Sequence, residues 1–182
     1  ARQMIEKYGY TALKMGIQAP GDAPYNRATR DTAAHVRAVR EAVGPDVDIG
    51  VDVHAKFFEA ERAIRLAKAI EPYNPMWMEE SVRPENYAAM KKVSDHVSIP
   101  LASGESNYGI YEFKELIERQ ALDFVQPDIC CCGGVLTLKK IAALAEAQYI
   151  LVAPHNPMSP LATAVNVHLA AKPSGNITVT AG

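Results

Sequence analysis

Short apolar, β-branched runs recur along this chain at near-regular intervals, separated by longer amphipathic stretches. Strand candidates lie at 11–15, 48–52, 76–79, 100–103, 124–126, 151–153 and 177–179, each near the ~5-residue mode for strands. Helix candidates fill the gaps at 28–43, 59–70, 85–96, 111–119, 135–147 and 161–171. In the first of these, Val36, Val39 and Val43 recur at helical spacing, with Arg30, Arg37 and Arg40 among the polar positions. Gly9 and Gly44 stand where helix C-caps are expected. Buried strands one helix apart pair in parallel through right-handed crossovers. Two architectures satisfy that rule, a doubly wound sheet and a closed (β/α) barrel.

Neither the dinucleotide fingerprint G-x-G-x-x-G nor a Walker A pattern is present. Instead, polar residues occupy the C-terminal end of nearly every strand candidate, where barrel enzymes place their catalytic groups. The expected fold is therefore α/β, a TIM-type (β/α) barrel. It is expected to be incomplete: about seven β-α units are visible, and 182 residues fall short of a typical barrel's ~250. Residues 1–8 read as the end of a helix whose strand is missing. No linker or low-complexity segment divides the chain, so residues 1–182 are expected to form a single partial barrel domain. The Pro- and Gly-rich stretch 19–26 reads as an active-face loop.

Charge narrows the partners. The chain has 19 Lys+Arg against 21 Asp+Glu, a net charge of −2, which lacks the cationic excess a nucleic-acid binder needs. Hydrophobic residues at 48% and charged residues at 22% suit a soluble globular protein. No apolar run reaches the ~18–20 residues that span a bilayer, and because Ala1-Arg2-Gln3-Met4 lacks an apolar h-region, no secretory signal is expected there. The start at Ala1, without an initiator Met, leads us to expect a piece of a longer protein. Cys130, Cys131 and Cys132 are contiguous and make no disulfide framework, so a reducing, cytoplasmic setting is expected. An open barrel edge is an association hazard, and a homo-oligomer is expected.

The strand ends carry the chemistry. The second strand ends Val51-Asp52-Val53-His54, with Asp52 and His54 on one face by period 2. The third ends Met78-Glu79-Glu80, the fourth runs into Ser103-Gly104-Glu105, and the fifth ends Gln126-Pro127-Asp128. The sixth runs into Ala153-Pro154-His155-Asn156-Pro157. In a barrel these ends converge, so Asp52, Glu79 and Glu105 form a carboxylate cluster that calls for a cation. All-oxygen ligation suits Mg²⁺. Asp128 and His155 sit on neighbouring strand ends, and a carboxylate beside an imidazole makes a general base. Singly, each acid reads more readily as a loop cap or surface charge, and each His as a structural group; five strand ends in succession reverse that balance. Glu80 should point away from Glu79 and reads equally as a group bonded to the next strand or loop. Three adjacent Cys cannot share one metal; a nucleophilic Cys130 is the lesser reading beside free core or loop thiols. Trp77, Met76 and Met78 read as packing. Asn107 and Tyr108 read as substrate contacts or as loop lining.

The order Asp-x-His, Glu-Glu, Gly-Glu, Gln-Pro-Asp, Pro-His-Asn-Pro resembles the enolase superfamily, mandelate racemase subgroup, across almost the whole chain, and most of all its galactonate-type sugar-acid dehydratases. The resemblance implies that Asp52, Glu79 and Glu105 hold Mg²⁺. It implies that the Asp128–His155 dyad takes the proton α to the substrate carboxylate, and that His54 is the acid that helps the β-hydroxyl leave. Lys14 matches the first Lys of the racemases' Lys-x-Lys, and Gly16 stands at the second, which favours dehydration over racemisation. Lys14, with Asn107, is then a candidate substrate contact. The chain departs from the pattern at Ser81, where the family has Pro, and at Thr180 and Ala181, where a Glu is expected. The family's N-terminal capping domain and the last barrel elements are expected to lie outside this sequence.

The implied reaction is Mg²⁺-dependent dehydration of a sugar acid, an aldonate such as galactonate, to a 2-keto-3-deoxy acid by a hydro-lyase. The alternatives are a Mg²⁺-dependent racemase or epimerase of the same superfamily, and an inactive metal-binding barrel fragment. The expected partner is a small acid-sugar substrate, with no nucleic acid and no membrane.

Overall fold

Helix α1 (Arg2–Tyr8) ends where Gly9 donates its N–H to Ile5, and buries none of its side chains. Strand β1 (Ala12–Gly16) follows. Helix α2 (Tyr25–Val43) is closed at Gly44, whose N–H bonds the Arg40 carbonyl. Both glycines therefore cap as their positions in the sequence predict. The computed structural model describes residues 1–17 and 24–171. The chain divides into two units, Ala1–Leu101 and Ala102–Gly182.

In the first unit, β2 (Asp48–Asp52) buries Ile49, Gly50 and Val51 in succession, as a strand covered on both faces must. It pairs in parallel with β1, Lys14 opposite Gly50 and Gly16 opposite Asp52. It also pairs in parallel with β3 (Trp77–Glu79), Gly50 opposite Trp77 and Asp52 opposite Glu79. Helix α3 (Ala60–Ile70) turns Ala63, Leu66, Ala67 and Ile70 inward. Each large apolar side chain buried this way contributes roughly 1.5–3 kcal/mol. A short 3-10 turn, Glu71–Tyr73, leads into β3. Helix α4 (Tyr87–Ser94) starts two residues later than the expected 85, because the Asn86 side chain accepts the Ala89 N–H and fixes the N-cap.

Arg40 ties the far end of this unit together. Its guanidinium donates to the carbonyls of Gly44 at 2.8 Å, Val47 at 2.6 Å, Tyr73 at 3.0 Å and Asn74 at 3.1 Å. The end of α2, the entry to β2 and the turn before β3 are thereby held by one cation.

Strand β4 (Leu101–Ser103) leads into the second unit. There Ala102 and Ser103 lie parallel to β5 (Phe124–Val125), which lies parallel to β6 (Leu151–Val152). Helices α5 (Gly109–Glu118) and α6 (Gly134–Ala147) make the crossovers, burying Phe113, Leu116, Leu138 and Ile141. Helix α7 (Pro160–Ala170) is capped by Ser159, whose side chain accepts the Ala162 N–H.

The described residues hold six strands and seven α-helices in the predicted alternation. Tyr25 and Asn26 are helical, where a loop over 19–26 was expected; Pro24 at the N-cap sets the chain's entry into α2. Residues 19–23, the expected strand at 177–179, Thr180 and Ala181 lie outside the described residues. No helix among those described is long and apolar enough to cross a membrane.

Candidate functional site

In the first unit, pairing in register does the positioning. Asp52 and Glu79 end adjacent strands opposite one another, and Lys14 projects from β1 on the same face. The Lys14 ammonium donates to Glu79 Oε1 at 2.7 Å and lies 3.6 Å from Asp52 Oδ2. Glu79 has no exposed surface, and its second oxygen accepts the Trp77 indole N–H at 3.0 Å. A carboxylate so enclosed needs both donors, because an unpaired buried charge is costly.

Gly50 makes that arrangement possible. A Cβ there would stand 2.9 Å from Trp77 Nε1, so any side chain would push the indole off Glu79. Trp77, expected only to pack, thus holds a site residue. The signal was present in the sequence: Trp77 and Glu79 are two apart in a strand and share a face.

Just beyond, His54 is 67% exposed, with Nδ1 3.6 Å from Asp52 Oδ2. Its backbone N–H donates to Asp52 Oδ1 at 2.7 Å. His54, Ala55 and Glu80 all have positive φ, at 56°, 51° and 43°. Ala55 donates its N–H to the Glu80 carbonyl at 2.9 Å, which locks the two strand-end turns to each other. Non-glycine residues held this way are strained and gather at functional sites. Glu80 is fully buried.

The second unit builds the dyad. His155 Nδ1 meets Asp128 Oδ2 at 2.9 Å, and His155 Nε2 lies 3.3 Å from Glu105 Oε2. Asp128 is buried. Its other oxygen accepts the Cys130 N–H at 2.7 Å, and its carbonyl accepts the N–H groups of Cys131 and Cys132. The cysteine run is therefore the turn that holds the dyad's carboxylate, a role that sequence reasoning missed. All three cysteines are free. Burial pushes the Cys132 thiol up to about 11. Desolvation, then the Asp128 carboxylate, raises the Cys130 thiol; both shifts suit thiols, not thiolate nucleophiles.

Gly104, with φ 129°, turns the chain from β4 towards Glu105 in a space closed by Phe113 and the Gln126 backbone. Asn107 is buried, with Nδ2 3.4 Å from Glu112 Oε2. Asn156, next to His155, donates to Thr163 Oγ1 at 2.9 Å and accepts from Asn166 Nδ2 at 3.2 Å, which anchors the dyad's loop to α7.

Among the described residues, no three His, Cys, Asp or Glu side chains stand ready to hold a metal ion. Lys14 and Trp77 hold Glu79, and His155 bridges Asp128 and Glu105. The donor chemistry nevertheless fits one. Asp52 and Glu79 already face a single positive charge, and a hard cation takes carboxylate oxygen.

Comparison with known proteins identifies the family of the chain. Residues 1–180 match the family described as Enolase C-terminal domain-like. D-xylonate dehydratase of Haloferax volcanii is 36% identical over 177 residues, covering 93% of this chain and 43% of its own length. D-galactonate dehydratase of Ralstonia pickettii is 34% identical over 166 residues, covering 91% and 43%. A crystal structure of an enolase from Agrobacterium radiobacter, bound to Na and L-malate, matches at TM-score 0.91 and 38% identity, over 97% of this chain and 45% of that one. The 3,6-anhydro-D-galactonate cycloisomerase of Zobellia galactanivorans matches at TM-score 0.86 and 30% identity, over 100% and 50%. The chain spans less than half the length of the curated relatives it matches. The α/β fold of TIM-barrel type expected from the sequence is the fold found.

Proposed function

Because this chain belongs to the Enolase C-terminal domain-like family, we propose that it carries the catalytic residues of a Mg²⁺-dependent sugar-acid dehydratase. The substrate is an aldonate such as galactonate, and the product a 2-keto-3-deoxy acid. The observation that carries this reading is the Asp128–His155 pair at 2.9 Å, with Asp128 buried. The relatives named D-xylonate and D-galactonate dehydratase support the substrate class.

Asp128 fixes the imidazole by accepting from Nδ1, so Nε2 is the nitrogen that takes the proton from C2. The imidazolium so formed lies between two carboxylates, Asp128 and Glu105, which stabilise its charge. Asp52, Glu79 and Glu105 are the proposed Mg²⁺ ligands. When bound, the ion stabilises negative charge on the substrate carboxylate as a Lewis acid. His54, exposed beside Asp52, gives its proton to the C3 hydroxyl, the C3–O bond breaks, and water leaves. The resulting enol takes a proton at C3 and becomes the 2-keto acid. Three free thiols suit a cytoplasmic setting for this chemistry.

The test is proton NMR of the protein in D₂O with Mg²⁺ and a panel of aldonates. Loss of the C2 proton together with a new 3-deoxy methylene signal is the expected result. Exchange at C2 without loss of water would replace dehydration by racemisation or epimerisation. A His54→Asn variant that dehydrates at full rate would remove His54 from its role.

A further inference from the structure

The two oxygens of Glu79 live in different surroundings. Oε2 accepts the buried Trp77 indole N–H at 3.0 Å. Oε1 accepts from the Lys14 ammonium at 2.7 Å, and that side chain is 35% exposed and lies 3.6 Å from Asp52 Oδ2. We infer that Trp77 is the fixed anchor of Glu79 on Oε2, while Lys14 is a resident cation on Oε1 that a divalent metal ion displaces.

This rests on the proposed reading that Asp52 and Glu79 are metal ligands. Several features support the division. The indole cannot retreat, since it is fully buried and packs into the space left by Gly50. The lysine can retreat, because its head is at the open side on a flexible stem. A second cation beside the ammonium is repelled, so the two compete for Oε1. Trp77 is thus a positioning residue, and Lys14 a competitor. The two donors of one carboxylate are therefore expected to act on metal affinity in opposite directions.

The probe is Mn²⁺, titrated into the full chain and followed by electron paramagnetic resonance of the free ion. Lys14→Met should bind Mn²⁺ roughly tenfold more tightly, since a neighbouring positive charge is gone. Trp77→Phe, which keeps a ring and loses the N–H, should bind roughly tenfold more weakly, as do other losses of a ligand's hydrogen-bond partner. Gly50→Ala should follow Trp77→Phe. Trp77 is the sole tryptophan, so the chain gives one indole N–H cross-peak in a ¹H–¹⁵N spectrum. That peak should move saturably with Mg²⁺, a response that a packing role would not produce. It needs no variant, so it decides the matter even where Trp77→Phe fails to fold. Variants that shift affinity in the same direction, or an indole peak that stays still while Mn²⁺ binds, overturn the inference. A different result marks failure of the underlying reading: Mn²⁺ binding by Glu79→Gln equal to that of the unaltered chain, or no binding by the unaltered chain at all.

Discussion

Asp128 serves two ends with one carboxylate. Oδ2 orients His155, while Oδ1 accepts the Cys130 N–H, which prevents the carboxylate from swinging away. Asp128→Asn presents an amide to Nδ1 and disturbs the tautomer that leaves Nε2 basic. We expect C2–H exchange to fall about a hundredfold or more, measured as deuterium uptake, with the imidazole ¹⁵N shifts reporting the change of tautomer. Cys132 yields a second prediction at this scale. Its thiol is pushed from 9.0 to about 11 by burial, so the folded state holds that proton more tightly than the unfolded chain. The associated stability is present below pH 9 and lost as pH rises through 11. Urea unfolding followed across that window should show a decline that Cys132→Ala makes shallower. The dyad was legible from its residue types and strand-end positions. The donors that hold it were not, because they are backbone N–H groups and carry no side-chain signature.

At the scale of elements, helix ends and loop ties decide the boundaries. Asn86 caps α4 by accepting the Ala89 N–H at 3.0 Å, so Asn86→Ala should cost about 1 kcal/mol, read as a shift in the urea midpoint. Arg40 was assigned to the polar face of α2 by periodicity. From there its guanidinium gathers carbonyls from three segments of the first unit. Arg40→Met should lower stability by about 2–3 kcal/mol, because it strands partly buried carbonyls, again measured by urea unfolding. Periodicity reports the face a residue starts from; it does not report where a long side chain ends.

At the scale of the whole molecule, the charge of −2 gives no overall excess of Lys and Arg for nucleic-acid binding. The chain should pass through heparin at about 50 mM salt without retention; salt-dependent retention would contradict that. The match to the family runs from residue 1 to 180, so the strand-end motifs and the barrel-type fold come from one ancestry and not from scattered coincidence. The relatives are more than twice as long as the stretch they share with this chain.

The sequence by itself determined the alternation of strands and helices, the parallel pairing, and the acids and histidines at the strand ends. These follow from periodicity and local chain stiffness, which act over a few residues. Only the tertiary structure decided which donor meets which oxygen. Lys14 and Glu79 are 65 residues apart, and Asp128 and His155 are 27 apart. Strand register brings the segments that carry these residues side by side, and register depends on how whole faces pack. Gly50 shows the difference most clearly: in the sequence it is a small residue inside a strand, and in the structure it is the space that lets Trp77 reach Glu79.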